Sequence, residues 1–113
     1  MGRVTASVQR EREATLLRIA ELHRSFDDIA ASVDTANTDD EHDPEGATLA
    51  FERAQVLSLL AACRARLELL DGASARIEAG TYGRCTRCGA EIGSERLDAL
   101  PATDRCIDCA GIR

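Results

Sequence analysis

Lysine and tryptophan are absent from the sequence, and aromatic residues are scarce. Of 113 residues, 44% are hydrophobic but only 3% are aromatic, namely Phe26, Phe51 and Tyr82. Without lysine the chain can have neither a P-loop nor Schiff-base chemistry, so these enzyme classes are excluded. With so few large rings it cannot build a broad globular core, which favours a thin helical or metal-stabilised architecture.

Long apolar runs are absent as well. The N-terminus has no stretch resembling a signal peptide, and no uninterrupted apolar run approaches the length of a membrane span. We therefore expect a cytoplasmic protein that makes no membrane contact. In a reducing compartment, closely spaced cysteines favour a metal site over disulfides.

The net charge of −6 is concentrated in one short stretch. Residues 1–33 carry five acids and five arginines, 46–80 carry four of each, and 81–113 carry five of each, whereas 34–45 carries six acids and no arginine. Such a chain has no basic surface with which to neutralise phosphates. We therefore expect no sequence-specific DNA binding.

Two segments, roughly 4–33 and 47–79, have the heptad spacing of coiled-coil helices. Their apolar or small seam residues are Val8, Thr15, Ile19, Leu22, Phe26, Ile29 and Val33 in the first, and Leu49, Val56, Leu60, Cys63, Leu67, Leu70 and Ile77 in the second. Arg53 and Ser74 are the weak points of the second seam. Two such helices can bury their seams on each other as an antiparallel hairpin. We expect a monomer, while the heptads alone leave a coiled-coil dimer open.

The connection between these helices, at about 34–46, contains the whole acidic excess. Its acids include Asp40, Glu41, Asp43 and Glu45. Pro44 opposes a continuous helix, and Asp43 followed by Pro44 is typical of a helix N-cap with proline at the first helical position. The acidic stretch is therefore predicted to form the tip of the hairpin.

The most specific motif is a pair of Cys-x2-Cys sequences. Cys85 and Cys88 are separated by 17 residues from Cys106 and Cys109, which is the spacing of a four-thiolate zinc site. Four thiolates close a tetrahedral site and leave no position for a reactive water, so we expect one structural zinc ion and no hydrolysis at the metal. A redox or metal-sensing switch is the alternative. Cys63 lies on the second seam and is interpreted as a buried apolar thiol.

Residues after the second helix contain turn formers but no helical period until the last few. Zinc would supply folding energy to this apolar-poor segment. Its predicted small core comprises Tyr82, Ile92, Leu97, Leu100 and Ile107.

The residues around the cysteines resemble a known family. They are Gly80-Thr81-Tyr82-Gly83-Arg84-Cys85-x2-Cys88-Gly89-x2-Ile92-Gly93, then Arg96-Leu97-x2-Leu100-Pro101, then Cys106-Ile107-x-Cys109. This run of about thirty residues resembles the C4-type zinc finger of the DksA/TraR family of bacterial transcription regulators. The resemblance implies a non-enzymatic regulator that binds RNA polymerase rather than DNA. It also implies that the coiled-coil arm enters the secondary channel and that its tip approaches the catalytic centre.

The same resemblance implies which tip residues contact the polymerase active centre. The family pattern has two aspartates three residues apart followed by an alanine, and Asp40 and Asp43 fit the aspartates. Glu45 stands where the alanine is expected, with Ala47 as a shifted equivalent. The residues predicted to contact the polymerase active centre are therefore Asp40, Glu41, Asp43 and Glu45.

Two departures bear on the alarmone ppGpp, which some family members bind. The sequence stops four residues after Cys109, before the C-terminal helix of longer members, and Leu69 and Leu100 stand where basic alarmone contacts are expected. We therefore expect action that does not depend on the alarmone.

The predicted fold class is mainly α, with an antiparallel coiled-coil hairpin at 1–79 and a small C4 zinc finger at 80–113. The predicted function is modulation of transcription initiation through the acidic tip. One alternative is a zinc-stabilised coiled-coil adaptor for another protein partner. Another is a transcript-cleavage stimulating factor, in which tip carboxylates hold a magnesium ion for the polymerase.

Overall fold

A computed structural model describes residues 2–36 and 44–111, and these form a mainly helical protein. The helices are α1 (Gly2–Ala36), α2 (Pro44–Ala79), α3 (Ser94–Ala99) and α4 (Ile107–Ala110). The two long helices form a hairpin, which confirms the predicted fold class. Within the described ranges no helix is long and apolar enough to cross a membrane, and the β-structure consists of an isolated antiparallel bridge between Arg84 and Glu91.

Both ends of α2 follow from local sequence chemistry. The helix begins at Pro44, as predicted, because proline's fixed φ suits the first helical position and its missing N–H is not needed there. It ends in a Schellman motif: Gly80 has φ +77°, its N–H donates to Ile77, and the N–H of Thr81 donates to Arg76. This motif turns the chain sharply into the cysteine-containing segment.

The described residues pack as two compact units. One comprises the described residues of Met1–Ala14 and Arg66–Arg113, and the other those of Thr15–Ala65. In the second unit the predicted seam is observed, because Thr15, Leu22 and Leu60 are buried. The flanking seam residues are half-buried: Ile19, Phe26, Ile29, Leu49, Val56 and Cys63.

Arg53, a weak point of the predicted seam, lies beside an aromatic ring in this unit. Its guanidinium carbon is 5.2 Å from the centroid of Phe26. An arginine at this distance can use the π face of the ring as a partner while its charge stays in water. The position therefore remains compatible with the helix pair although its side chain is charged.

In the other unit, the ends of the hairpin helices share a core with the cysteine-containing segment. Val8, Leu70, Ala73 and Ala102 are its buried members, and Val4, Ile77 and Tyr82 pack against them. The Tyr82 hydroxyl donates to the carbonyl of Pro101 at 2.9 Å, and burial raises the pKa of this phenol. This core fixes the segment after Gly80 against α1 and α2.

Ion pairs between α1 and α2 surround this core but contribute little to its stability. Arg12 contacts Asp71, and Arg66 contacts Glu11, each at 2.7 Å. All four side chains are substantially exposed. Exposed pairs of this kind are worth about 0–1 kcal/mol, so burial of the apolar residues contributes most of the stability of this unit.

Two expectations about the segment after α2 are wrong. A helix, α3, occupies Ser94–Ala99 although no helical period was expected there, because six residues are too few for a periodic signal. The predicted small core is only partly correct. Ile92 is buried and Leu97 packs beside it, Tyr82 packs on the hairpin instead, and Leu100 and Ile107 are 48% and 75% exposed.

Substitution of Leu70 tests the shared core. Leu70 is fully buried, whereas its neighbour Leu69 is 55% exposed. We expect Leu70→Ala to lower the free energy of unfolding by about 2–5 kcal/mol, because a cavity is added to the lost burial. Leu69→Ala should cost less than about 1 kcal/mol. Urea denaturation followed by circular dichroism measures both values, and equal losses would contradict the assigned core.

Ser74, the other weak point of the seam, predicts a stabilising substitution. Its Oγ is buried and has no hydrogen-bond partner in the described structure, and a buried unsatisfied group costs about 1–3 kcal/mol. Ser74→Ala should therefore raise the free energy of unfolding by up to about 1 kcal/mol. Ser58→Ala, at an exposed position of α2, serves as the control and should be neutral. A destabilised Ser74→Ala would show that the hydroxyl has a partner in solution.

Candidate metal centre

The four cysteines predicted as metal ligands converge in space. Cys85, Cys88, Cys106 and Cys109 place their sulfur atoms within 4.8 Å of one another, and the Sγ atoms of Cys88 and Cys106 are 3.7 Å apart. A tetrahedral zinc ion with Zn–S bonds of about 2.3 Å requires sulfur–sulfur distances of about 3.8 Å. The cluster therefore has nearly the dimensions of a closed zinc site.

A tight turn aims the first two sulfurs at one point. The N–H of Gly89 donates to the carbonyl of Cys85 at 2.9 Å, and the N–H of Cys85 donates to Ala90 at 2.8 Å. Gly89 has φ +78°, a conformation that glycine adopts without steric cost and that other residues rarely adopt. Gly89 thus provides the backbone freedom that the turn needs just after the second cysteine.

The second pair lies at the start of α4. Cys106 is the N-cap of this helix and Cys109 lies in its first turn. Residues three apart on a helix share a face, so this short helix directs both sulfurs to the same side. The N–H of Ala110 donates to the carbonyl of Cys106 at 2.9 Å, which stabilises the turn.

Backbone hydrogen bonds bring the two pairs together. Thr86 donates to the carbonyl of Asp104 through its N–H at 2.8 Å and through its hydroxyl at 3.1 Å. The Arg96 guanidinium on α3 donates to the carbonyl of Arg105 at 3.0 Å. The chain just before Cys106 is thus held by both the first turn and α3.

Two thiols of the cluster, those of Cys85 and Cys109, have pKa values shifted in opposite directions. Backbone N–H groups of Cys106 and Cys88 donate to the Cys85 sulfur and lower its pKa to about 6, against the opposing effect of burial. The Arg87 guanidinium lowers the pKa of Cys109, but the neighbouring thiols and burial outweigh it and raise that pKa to about 12. Crowded sulfurs cannot all ionise unless a cation compensates their charge.

The donor set fits a zinc ion. Four sulfur ligands within 4.8 Å of one another suit zinc, and a tetrahedral four-thiolate site leaves no position open for water. Three of the four cysteines are buried, and Cys88 is exposed. Such a site serves to hold the chain together rather than to activate a substrate.

Other residues singled out from the sequence are not part of this cluster. Cys63 is a half-buried residue of α2 in the unit formed by Thr15–Ala65. Asp40, Glu41 and Asp43 lie outside the described residues. Glu45 belongs to the first turn of α2, and its side chain also lies outside the description.

Sequence reasoning missed Arg87 as a member of the site. Its Nη1 atom donates to the Sγ of Cys109 at 3.8 Å. The sequence shows that Arg87 stands between two predicted metal ligands, in Cys85-x2-Cys88. However, the contact joins residues 22 positions apart, and such a pairing cannot be read from spacing within one motif.

Comparison of the whole fold identifies a similar solved structure. The structure of transcription factor DksA2 from Pseudomonas aeruginosa matches with a TM-score of 0.56 and 25% sequence identity. The match covers 92% of this chain and 80% of that one. The similarity thus includes both the hairpin and the cysteine-containing segment.

Sequence comparisons match stretches of less than half of the chain. An uncharacterized protein of Aquifex aeolicus (strain VF5) is 52% identical over 46 residues, which are 41% of this chain and 32% of that protein. The RNA polymerase-binding transcription factor DksA of Escherichia coli (strain K12) is 50% identical over 34 residues, 30% of this chain and 22% of that protein. The matched stretches thus span about a third or less of these relatives.

The family comparison covers the metal centre itself. Residues 80–113 match the prokaryotic dksA/traR C4-type zinc finger, and within this range the four sulfurs converge. The cofactor of this segment is one structural zinc ion. Residues 80–113 thus have the sequence of a dksA/traR C4-type zinc finger, and the fold of the chain is similar to that of DksA2.

Proposed function

We propose that the protein is an RNA polymerase-binding transcription regulator whose acidic hairpin tip enters the polymerase secondary channel and modulates initiation. The observation that carries the proposal is a long helical hairpin attached to a finger of the DksA/TraR type. Relatives with this finger are named RNA polymerase-binding transcription factors. The protein would then act in the cytoplasm, where the polymerase works.

The distribution of charge supports a role for the segment that connects α1 and α2. Residues 34–45 hold six acids and no arginine, whereas every other segment of the chain is balanced. Carboxylates form charge-assisted hydrogen bonds with basic side chains, and their hard oxygen atoms are suitable ligands for Mg²⁺. Asp40 and Asp43 would ion-pair with basic polymerase groups or alter the electrostatics around the catalytic magnesium.

We also propose that the chain divides functionally at the end of α2, into an arm at 1–79 and a zinc finger at 80–113. The Schellman motif at Gly80 supports this boundary, because the chain changes direction there. Cys85, Cys88, Cys106 and Cys109 would hold the zinc ion, and the ion would link two segments that have few apolar contacts of their own.

The environment of Leu69 and Leu100 supports action without the alarmone. These leucines line a cleft of about 280 Å³ together with Arg66, Asp104 and residues 99 and 101–103. Arg66 already contacts Glu11 at 2.7 Å. A nucleotide with several phosphates needs several available cations, and this cleft presents one paired arginine and a carboxylate.

Removal of a zinc ligand tests the metal assignment. We expect Cys106→Ser to abolish stoichiometric zinc binding and to unfold the finger, because structural zinc provides the folding energy of such segments. The unfolding should extend to the ends of the hairpin, since Tyr82 and Ala102 complete the core around Leu70. Cys63→Ser should retain one zinc ion. Metal content by mass spectrometry and thermal unfolding measure these effects, and full zinc occupancy in Cys106→Ser would contradict the assignment.

Replacement of the tip aspartates tests the function. In a purified transcription assay, Asp40→Asn with Asp43→Asn should remove at least about 90% of the effect on initiation while polymerase binding changes less than about threefold, because the charge acts at the tip and not along the arm. The control is Asp27→Asn with Asp28→Asn, which makes the same charge change at exposed positions of α1 and should keep the effect.

The outcome of this comparison separates the alternatives. Unchanged regulation by the tip variant would exclude the proposed role of the aspartates. Absence of polymerase binding by the wild-type chain would favour an adaptor for another partner. Stimulated RNA cleavage in stalled elongation complexes, lost in the tip variant, would identify a transcript-cleavage factor.

A further inference from the structure

Arg87 connects the two halves of the metal centre. It lies in the first cysteine turn, between Cys85 and Cys88, but its guanidinium donates to the sulfur of Cys109 in α4. The N···S distance of 3.8 Å is suited to a hydrogen bond to sulfur, whose radius is larger than that of oxygen. The side chain therefore crosses from one Cys-x2-Cys pair to the other.

A zinc ion bound by four thiolates leaves a net charge of −2, and the surrounding donors must compensate it. The backbone supplies this compensation to Cys85, whose sulfur accepts N–H groups of Cys106, Cys88 and Arg87. The Cys109 sulfur accepts a hydrogen bond from the guanidinium of Arg87. A charged donor forms a stronger hydrogen bond than a neutral one and draws electron density from the sulfur.

We propose that Arg87 tunes the zinc site by donating a charge-assisted hydrogen bond to the Cys109 thiolate. It acts on the metal through a ligand and is not a ligand itself. The inference depends on the proposed assignment of the four cysteines to zinc. Residues that hydrogen-bond to metal ligands typically change metal affinity by about 10–100-fold. Because Arg87 is exposed to solvent, we expect an effect of about tenfold.

The experiment compares two arginines on the same finger. Arg84, like Arg87, is exposed, but it makes no hydrogen bond to a cysteine sulfur in the described part of the chain. Arg87→Ala and Arg84→Ala remove the same charge, so their difference isolates the N–H···S bond. Zinc affinity of the full chain is measured by chelator competition at one pH, and Co²⁺ is substituted to observe the sulfur-to-metal charge-transfer band.

Arg87→Ala should lower zinc affinity about tenfold and move the charge-transfer band to longer wavelength, because the Cys109 sulfur loses a donor and becomes easier to oxidise. The ligand-field bands should stay in place, since four thiolates still bind the metal. Arg84→Ala should match the wild type within about twofold in affinity and in both sets of bands. Equal behaviour of the two variants would overturn the proposal.

If Arg87→Ala does not fold with metal, Arg87→Met and Arg84→Met replace the alanine pair. Methionine keeps a long unbranched side chain but has no N–H donor, so Arg87→Met should shift the charge-transfer band and Arg84→Met should not. Identical spectra would again overturn the role of Arg87. Failure of the wild-type chain to bind Co²⁺ through four thiolates would instead overturn the zinc assignment itself.

Discussion

The convergence of four sulfur atoms is the constraint on which the finger depends. Outside the cysteines, the buried cluster around the site contains Ile92, with Leu97 packed against it. Two aliphatic side chains provide only about 3–6 kcal/mol by burial, which cannot offset the ordering of some thirty residues. The sulfurs are therefore most of the core, and the ion that joins them replaces the apolar contacts that the sequence lacks.

The finger in turn completes the unit that contains both ends of the hairpin. Ala102 is buried with Val8, Leu70 and Ala73, and Tyr82 packs beside them. The Arg76 guanidinium donates to the carbonyl of Ala102 at 3.3 Å, so α2 also satisfies a polar group of the finger. Because these contacts require a folded finger, metal binding and stability of the helix ends are thermodynamically linked.

The features that could be predicted from the sequence are those with a period or a fixed spacing. The heptads located both long helices and their buried seam, since a side chain's face follows from its position along a helix. The Cys-x2-Cys spacing located the metal centre. The ends of α1 were less predictable, and this helix extends two residues before and three residues after the segment expected.

What the sequence could not predict depends on contacts between distant residues. Helix α3 is too short to show a period, and its existence depends on the glycine turn before it and the proline after Leu100. Ala102 is buried with Val8, Leu70 and Ala73, whereas the larger Leu100 and Ile107 stay exposed, and this choice cannot be read from hydrophobicity alone. The contact from Arg87 to Cys109 likewise exists only once the two cysteine pairs have met.

Residues 34–45 carry an excess of acidic charge that the hairpin and the finger do not share. The hairpin and the finger are balanced in acids and arginines, and the described ion pairs between α1 and α2 are exposed and weak. A connection between two helices needs turn-forming residues, which asparagine, serine and glycine supply without charge. Six acids within twelve residues repel one another. Helix capping and the helix dipole give a folding reason for Asp43 and Glu45 at the start of α2, but not for the other four acids. A basic or metal-containing partner would give one, because it would turn the same repulsion into attraction on binding.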